Sequence, residues 1–293
     1  ECCPPPLHLP GPNWAIPDDL SLVDDPLSAN GKATTFTKFT GVVNSPTKEV
    51  NSPKVVVEKK GMRVWHVCDT SFGVPRAQFR VHFANNFINC TADMAAECRL
   101  YCALLDDALT PELYHAQLLS SGYVLRVLPT GLELVVYGYS SSLPKILAIV
   151  ARRMKSFSVS DASERMAVVK GRLVQNLVNW RHNNPAQLAL CHVAYLLEPK
   201  RWHNAEMLEA MKKVKPEGVG NIFRLIAGTS TVSALAYGNI TAKLTIALTS
   251  QLLKLTNVKP CTESPQRPVR VLNLAGGKGD IDRIFPPPPL LVS

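Results

Sequence analysis

Residues 123–139 read Tyr-Val-Leu-Arg-Val-Leu-Pro-Thr-Gly-Leu-Glu-Leu-Val-Val-Tyr-Gly-Tyr. Two β-rich runs, 123–128 and 132–139, flank a Pro-Thr-Gly turn. Strand formers on both sides of a short turn read as a β-hairpin. Just upstream, residues 77–84 alternate in polarity. Phe79, Val81 and Phe83 share one face and Arg80 and His82 the other, as in a strand with one buried side. Residues 55–58 and 63–68 read as two more short strands joined at Lys60-Gly61. Between strand and hairpin, Thr91 is placed to cap a helix with Asp93 in its first turn. Ala95, Cys98, Cys102 and Leu105 then recur at helical spacing, and Pro111 reads as the start of a second helix ending near Gly122.

Downstream the period becomes helical. Residues 143–157 form one helix, and Ser160 or Asp161 caps a longer one. Its stripe is Met166, Val169, Leu173, Leu177 and Trp180. Val169, Leu173 and Leu177 are expected to cover a sheet built from the hairpin, strand 77–84 and a strand at 232–237. Pro185 ends the long helix, and Leu188, Cys191 and Tyr195 mark the next. Shorter helices are expected at 207–214 and 219–227, another at 240–254, and a last strand at 269–274.

Strands that come in hairpins and helices that come in runs argue an α+β fold: a mainly antiparallel β-sheet with helices packed on one face. A doubly wound parallel sheet would alternate the two more strictly. Residues 1–53, rich in Pro, Ser, Thr and Asn, read as an extended arm or interdomain linker. Residues 54–258 are the domain. Residues 259–293 hold the last strand and a tail with Pro286 to Pro289, which no helix or central strand can contain. The first residue is Glu1 rather than Met, which reads as a processed chain or a piece of a longer one.

Chemistry-bearing motifs are few. None of the seven histidines begins His-x-x-Glu-His or His-Glu-x-x-His, the helical spacings that set two histidines and a glutamate around a catalytic zinc. No catalytic, cofactor-binding or metal-ligating residue is therefore assigned. Gly276-Gly-Lys-Gly279 lacks phosphate-loop spacing, and no Gly-x-Ser-x-Gly elbow occurs. The eight cysteines match no zinc ribbon; Cys98 and Cys102 share a helix face and read as core. Such usage suits a reducing compartment, here the cytoplasm, with the mitochondrion as the alternative. Asn89-Cys-Thr91 and Asn239-Ile-Thr241 fit the glycosylation sequon. Glu206 and Glu209 read as a solvated helix face.

The formal net charge is +9. Aromatics do not interleave with the basic residues in a nucleic-acid-binding pattern. No apolar run of about 18 residues marks a membrane span. One stretch is distinctly basic: Arg152, Arg153, Lys155, Arg165, Lys170 and Arg172. It reads either as a solvated helix surface or as a wall that attracts acidic peptides.

Several segments, in order, resemble the insulinase, nardilysin and pitrilysin family of zinc metallopeptidases. Leu9-Pro-Gly-Pro-Asn-Trp-Ala-Ile-Pro17 resembles the family's linker between halves. Arg63-Val-Trp65 through Asp69-Thr-Ser-Phe72, then Val74-Pro-Arg-Ala77, resembles the strand and turn that follow. Leu104-Leu-Asp-Asp-Ala-Leu109 with Tyr114-His-Ala116 and Gly122-Tyr123 resembles the helix pair, and Val136-Tyr-Gly-Tyr139 the closing strand. Asn179-Trp-Arg181 with Pro185, and Tyr237-Gly-Asn-Ile-Thr241, complete the series. The resemblance runs from about Leu9 to about Leu274 and points to the third of four homologous domains.

That resemblance implies a non-catalytic module. Family members hold zinc in the first domain through His-x-x-Glu-His and a later glutamate. The corresponding helix here, residues 95–109, carries Glu97 and no histidine, so no ligand carries over. The module would dock the other homologous domains, or a subunit carrying the zinc site, and help wall a chamber for peptide substrates. The alternative is a stand-alone inactive relative that serves as a scaffold in a larger assembly. Alone, the chain is expected to lack peptidase activity.

Overall fold

A computed structural model describes residues 11–23, 52–158, 163–198 and 201–262. Six strands form one sheet. They are β1 (Lys54–Lys59), β2 (Met62–Cys68), β3 (Arg76–Ala84), β4 (Gly122–Leu128), β5 (Gly131–Tyr139) and β6 (Thr231–Gly238). Their spatial order is β1-β2-β6-β3-β5-β4. Every pairing is antiparallel except β2 with β6, which is parallel. The mainly antiparallel sheet of the sequence reading is present, with hairpin, strand 77–84 and strand 232–237 side by side. Leu128 pairs with Gly131, so the hairpin turns on Pro129 and Thr130 alone. Gly131 has φ 148°, and a Cβ there would overlap the Phe83 carbonyl oxygen, so glycine is required.

The helices are α1 (Ala92–Gln117), α2 (Leu143–Ser156), α3 (Ser163–Asn179), α4 (Pro185–Leu197), α5 (Asn204–Lys213), α6 (Pro216–Thr229) and α7 (Ala242–Thr256). Alternate residues of each strand define the buried face. Phe79, Val81 and Phe83 of β3 meet Leu132, Leu134 and Val136 of β5 there, all without exposure. Helices α1, α2 and α7 pack directly on that face. Tyr101 of α1 donates to the Met154 carbonyl of α2 at 3.3 Å, and its ring meets Phe157 edge-on.

Two expectations fail. Pro111 does not restart a helix; α1 runs through it. A proline costs a helix one hydrogen bond and a ring clash. Here Leu104, Leu105, Leu109, Leu113 and Ala116 are all buried along one face, and that packing outweighs the defect. The Thr110 hydroxyl also donates to the Asp106 carbonyl at 2.8 Å, one residue before the proline. Helix α3 does not cover the sheet either. Its main neighbours are α1 and α5, so Val169, Leu173 and Leu177 form an outer layer over α1. An amphipathic stripe requires a partner but does not name it.

The described parts of the two ends, residues 11–23 and 259–262, are fastened to the domain. Residues 11–23 contain no helix or strand, yet Ala15 has 0% exposure and sits in the core. Asn13 donates to the His115 carbonyl at 3.0 Å, and Ser142 to the Ala15 carbonyl at 3.0 Å. Asn239 accepts from the Val23 N–H at 2.6 Å and donates to the Ser21 carbonyl at 2.9 Å. Past Val258, Cys261 still donates its N–H to the Ser230 carbonyl at 2.9 Å. The strand expected at 269–274 and the cap at Ser160 or Asp161 lie outside the described residues. Among the described residues, no helix is long and apolar enough to cross a membrane.

Candidate functional site

The six basic residues read from the sequence lie on α2 and α3, on the helical side of the molecule. Half of them hold helices together. Arg165 donates to both carboxylate oxygens of Asp107 on α1, at 2.9 and 2.8 Å. Those bonds hold the Asp107 carboxyl below the usual carboxylate range, with Arg172 adding a weaker pull. Lys170 donates to the carbonyls of Lys212 and Val214, at 2.9 and 3.0 Å, where α5 ends. Such a cation offsets the partial negative charge of a helix C-terminus. Arg153 lies 4.0 Å from Glu112. Arg152, Lys155 and Arg172 are exposed.

The opposite face of the sheet carries no helix among the described residues. Strand register sets its side chains in rows. Val55, Trp65, Leu235, Arg80, Val135 and Val124 form one row across all six strands. It is an apolar band interrupted by one arginine. The next row is Arg63, Ser233, His82, Glu133 and Arg126. Glu133 lies between two guanidiniums, 2.7 Å from Arg126 and 3.5 Å from Arg80, with only 9% of its side chain exposed. The Arg80 Nε is buried without a hydrogen-bond acceptor. His82 lies 3.1 Å from the Thr130 hydroxyl, and burial pushes its pKa down against the opposing pull of Glu133. Trp65, Leu235, Arg80 and His82 line a cavity of 310 Å³.

Helix α4 is the second unusual surface. Its sequence is Pro-Ala-Gln-Leu-Ala-Leu-Cys-His-Val-Ala-Tyr-Leu-Leu, without a charged residue. None of its residues is buried, and Leu190, Val193 and Leu196 are 68%, 49% and 43% exposed. It rests on a ring cluster. His192 of α4 stacks on His203 at 5.4 Å between centroids, while Trp180 and Tyr195 meet His203 edge-on at 6.0 and 5.4 Å. His203 also caps α5: its Nδ1 accepts from the Ala205 N–H at 3.2 Å, and Glu206 accepts the His203 N–H at 2.8 Å. Glu206 is therefore part of a capping box rather than a free solvated acid.

A zinc site does not fit the helix that the resemblance pointed to. Glu97 on α1 has its carboxyl against Gly218 of α6, and burial followed by the Asp93 charge raises its pKa. No group of three His, Cys, Asp or Glu side chains able to hold a metal occurs among the described residues. The Cys98 thiol is pushed well up by its hydrogen bond with Cys102 and by burial, the reverse of what a ligand or nucleophile needs. Asn89 and Asn239, the two sequon asparagines, are buried.

The Arg80–Glu133–Arg126 cluster was not legible in the sequence: a three-residue Pro-Thr-Gly turn between 123–128 and 132–139 would set Arg126 opposite Leu134 instead. A two-residue turn at 129–130 sets Arg126 opposite Glu133. Arg80 required the strand order. The exposure of α4 had no sequence signal, because an apolar helix ordinarily reads as a buried one.

Residues 1–210 match the family described as the middle or third domain of peptidase M16. Insulin-degrading enzyme-like 1, peroxisomal, of Arabidopsis thaliana is 26% identical over 80% of this chain and 22% of its own length. The putative zinc protease mug138 of Schizosaccharomyces pombe is 26% identical over 87% of this chain and 24% of its own. The chain thus spans about a quarter of the relatives it matches. In fold it resembles pitrilysin, with a TM-score of 0.70 and 17% identity over 86% of this chain and 24% of that one. A peptidase M16 inactive domain from Pseudomonas fluorescens gives a TM-score of 0.52 at 12% identity, over 72% of this chain and 52% of that one.

Proposed function

The chain belongs to the M16 peptidases through their middle or third domain, and from that membership we propose that it is a non-catalytic module of a peptide-degrading zinc metallopeptidase. It docks the homologous modules of the same enzyme and helps wall the substrate chamber. Helix α4 carries this reading: a charge-free helix with no buried residue has no stable place in water. The open sheet face adds a second apolar surface, with Trp65 and Leu235 at its centre. Covering both by neighbouring modules removes that apolar area from water. In this reading the surface of α2 and α3 where Arg152, Lys155 and Arg172 are exposed is left wet. It is the proposed wall for acidic peptides, with an attraction that salt screens.

Hydrogen exchange tests this directly. Amides of α4 are expected to exchange fast in this chain alone and to be protected in a longer protein that includes the adjoining module. Equal exchange in the two proteins overturns the docking role. Separately, acidic peptides should bind this chain more weakly as salt rises. Salt-independent binding would remove the charged wall from the reading and leave the docking intact.

A further inference from the structure

On the strength of that docking role, we infer that the Arg80–Glu133–Arg126 cluster on the open sheet face recognises one carboxylate, carried between apolar residues on a helix of a homologous module of the same protein. The two arginines face one glutamate, so the cluster keeps one positive charge in excess. The Arg80 Nε is buried and unsatisfied, a state that costs free energy in the isolated module. The surroundings are apolar: Leu235 and Val135 flank Arg80 in the row, and Leu235 with Trp65 beyond it lines the 310 Å³ cavity. An anion on an otherwise apolar element matches this surface in both charge and polarity. A polar helix would leave the band uncovered, and a wholly apolar one would bury the excess charge without a partner.

The occupant follows from what surrounds the module. The relatives are about four times longer, and this chain matches 22% and 24% of the two described above. Six strands at about 4.8 Å spacing make a band roughly 24 Å wide, the length of about 16 helical residues. The acid acts as an address. Arg80 and Arg126 admit a helix with a carboxylate at the centre and reject one with a lysine there.

The test uses this chain and three helical peptides of about 18 residues, each Leu- and Ala-rich, with Glu, Gln or Lys at the centre. Labelled-peptide anisotropy gives affinity, and the Trp65 indole resonance reports the location. The Glu peptide should bind at Trp65 about tenfold more tightly than the Gln peptide, a charge-assisted bond being the stronger kind. The Lys peptide should bind least. Arg80→Met should erase the Glu preference and leave Gln-peptide affinity unchanged, while Arg80→Lys retains part of it. Should Arg80→Met not fold, Arg126→Met carries the same comparison. Equal binding of Glu and Gln peptides at Trp65 overturns the acid address and leaves the docking role standing. Absence of any helical peptide from Trp65 overturns docking at this face as well. Tighter binding of a short unstructured peptide through its free C-terminal carboxylate overturns the helix as occupant.

Discussion

Replacing Leu113 with alanine separates the observed layering from the one that the helical stripe suggests. Leu113 lies on α1 beyond Pro111, has 0% exposure and belongs to the buried core. Neighbours on every side leave little room for collapse, so the substitution should cost about 3–5 kcal/mol. Leu173 on α3 is half-buried and touches the core only from the outer layer. Its replacement by alanine should cost about 1–2 kcal/mol, since less apolar area returns to water. With a urea m-value of roughly 2 kcal/mol/M, the midpoints should fall by about 1.5–2.5 M for Leu113→Ala and about 0.5–1 M for Leu173→Ala. Urea unfolding followed by circular dichroism measures both, with equal m-values as the check on two-state behaviour. If Leu173→Ala proved as costly as Leu113→Ala, α3 would be a sheet-covering helix and the layer order given above would be wrong.

Three further outcomes follow from specific contacts. Asp107 has a folded pKa below its ordinary value of 3.8 because Arg165 binds it, so its contribution is complete above that value and fades as pH falls through the lowered one. Arg165→Met should return the Asp107 titration toward 3.8, as followed by carboxyl NMR; an unmoved titration would show that the pair is not formed in solution. His203 has a folded pKa below its ordinary 6.5, through burial and then His192, against the opposing pull of Glu206. Its Nδ1 must stay unprotonated to cap α5, so stability should drop as pH falls from about 6.5 downward. His203→Asn, which keeps a capping oxygen, should flatten that part of the urea-midpoint profile, and an unchanged profile would place the titration elsewhere. Asn239→Ala removes both bonds to residues 21 and 23, and should cost about 1–3 kcal/mol while opening the 18–23 segment to limited proteolysis. Unaltered cleavage would mean that the contacts of Asn13 and Ala15 are enough to anchor the segment.

Most local elements and the fold class are written in short-range pattern. Alternation at 77–84 and 123–139 reports that one side of each strand is buried. The Pro-Thr-Gly stretch marks the hairpin turn, although its register, with Leu128 opposite Gly131, came from the structure, and Thr91 caps α1 as expected, accepting from the Met94 N–H at 3.2 Å. These signals are carried by residues a few positions apart. Neighbour relations were not legible in the same way. The insertion of β6 between β2 and β3 joins residues about 150 positions apart, and no local period encodes it. Long-range packing is what lets Leu109 and Leu113 carry α1 through Pro111 and brings the stripe of α3 onto α1. It turned Arg165 and Lys170 into helix fasteners, and it gathered Arg80 to Glu133 and Arg126. It also left α4 uncovered, which hydrophobicity alone would have buried. The reason is physical: periodicity records whether a side chain leaves water, whereas the identity of what it meets depends on how distant segments pack together.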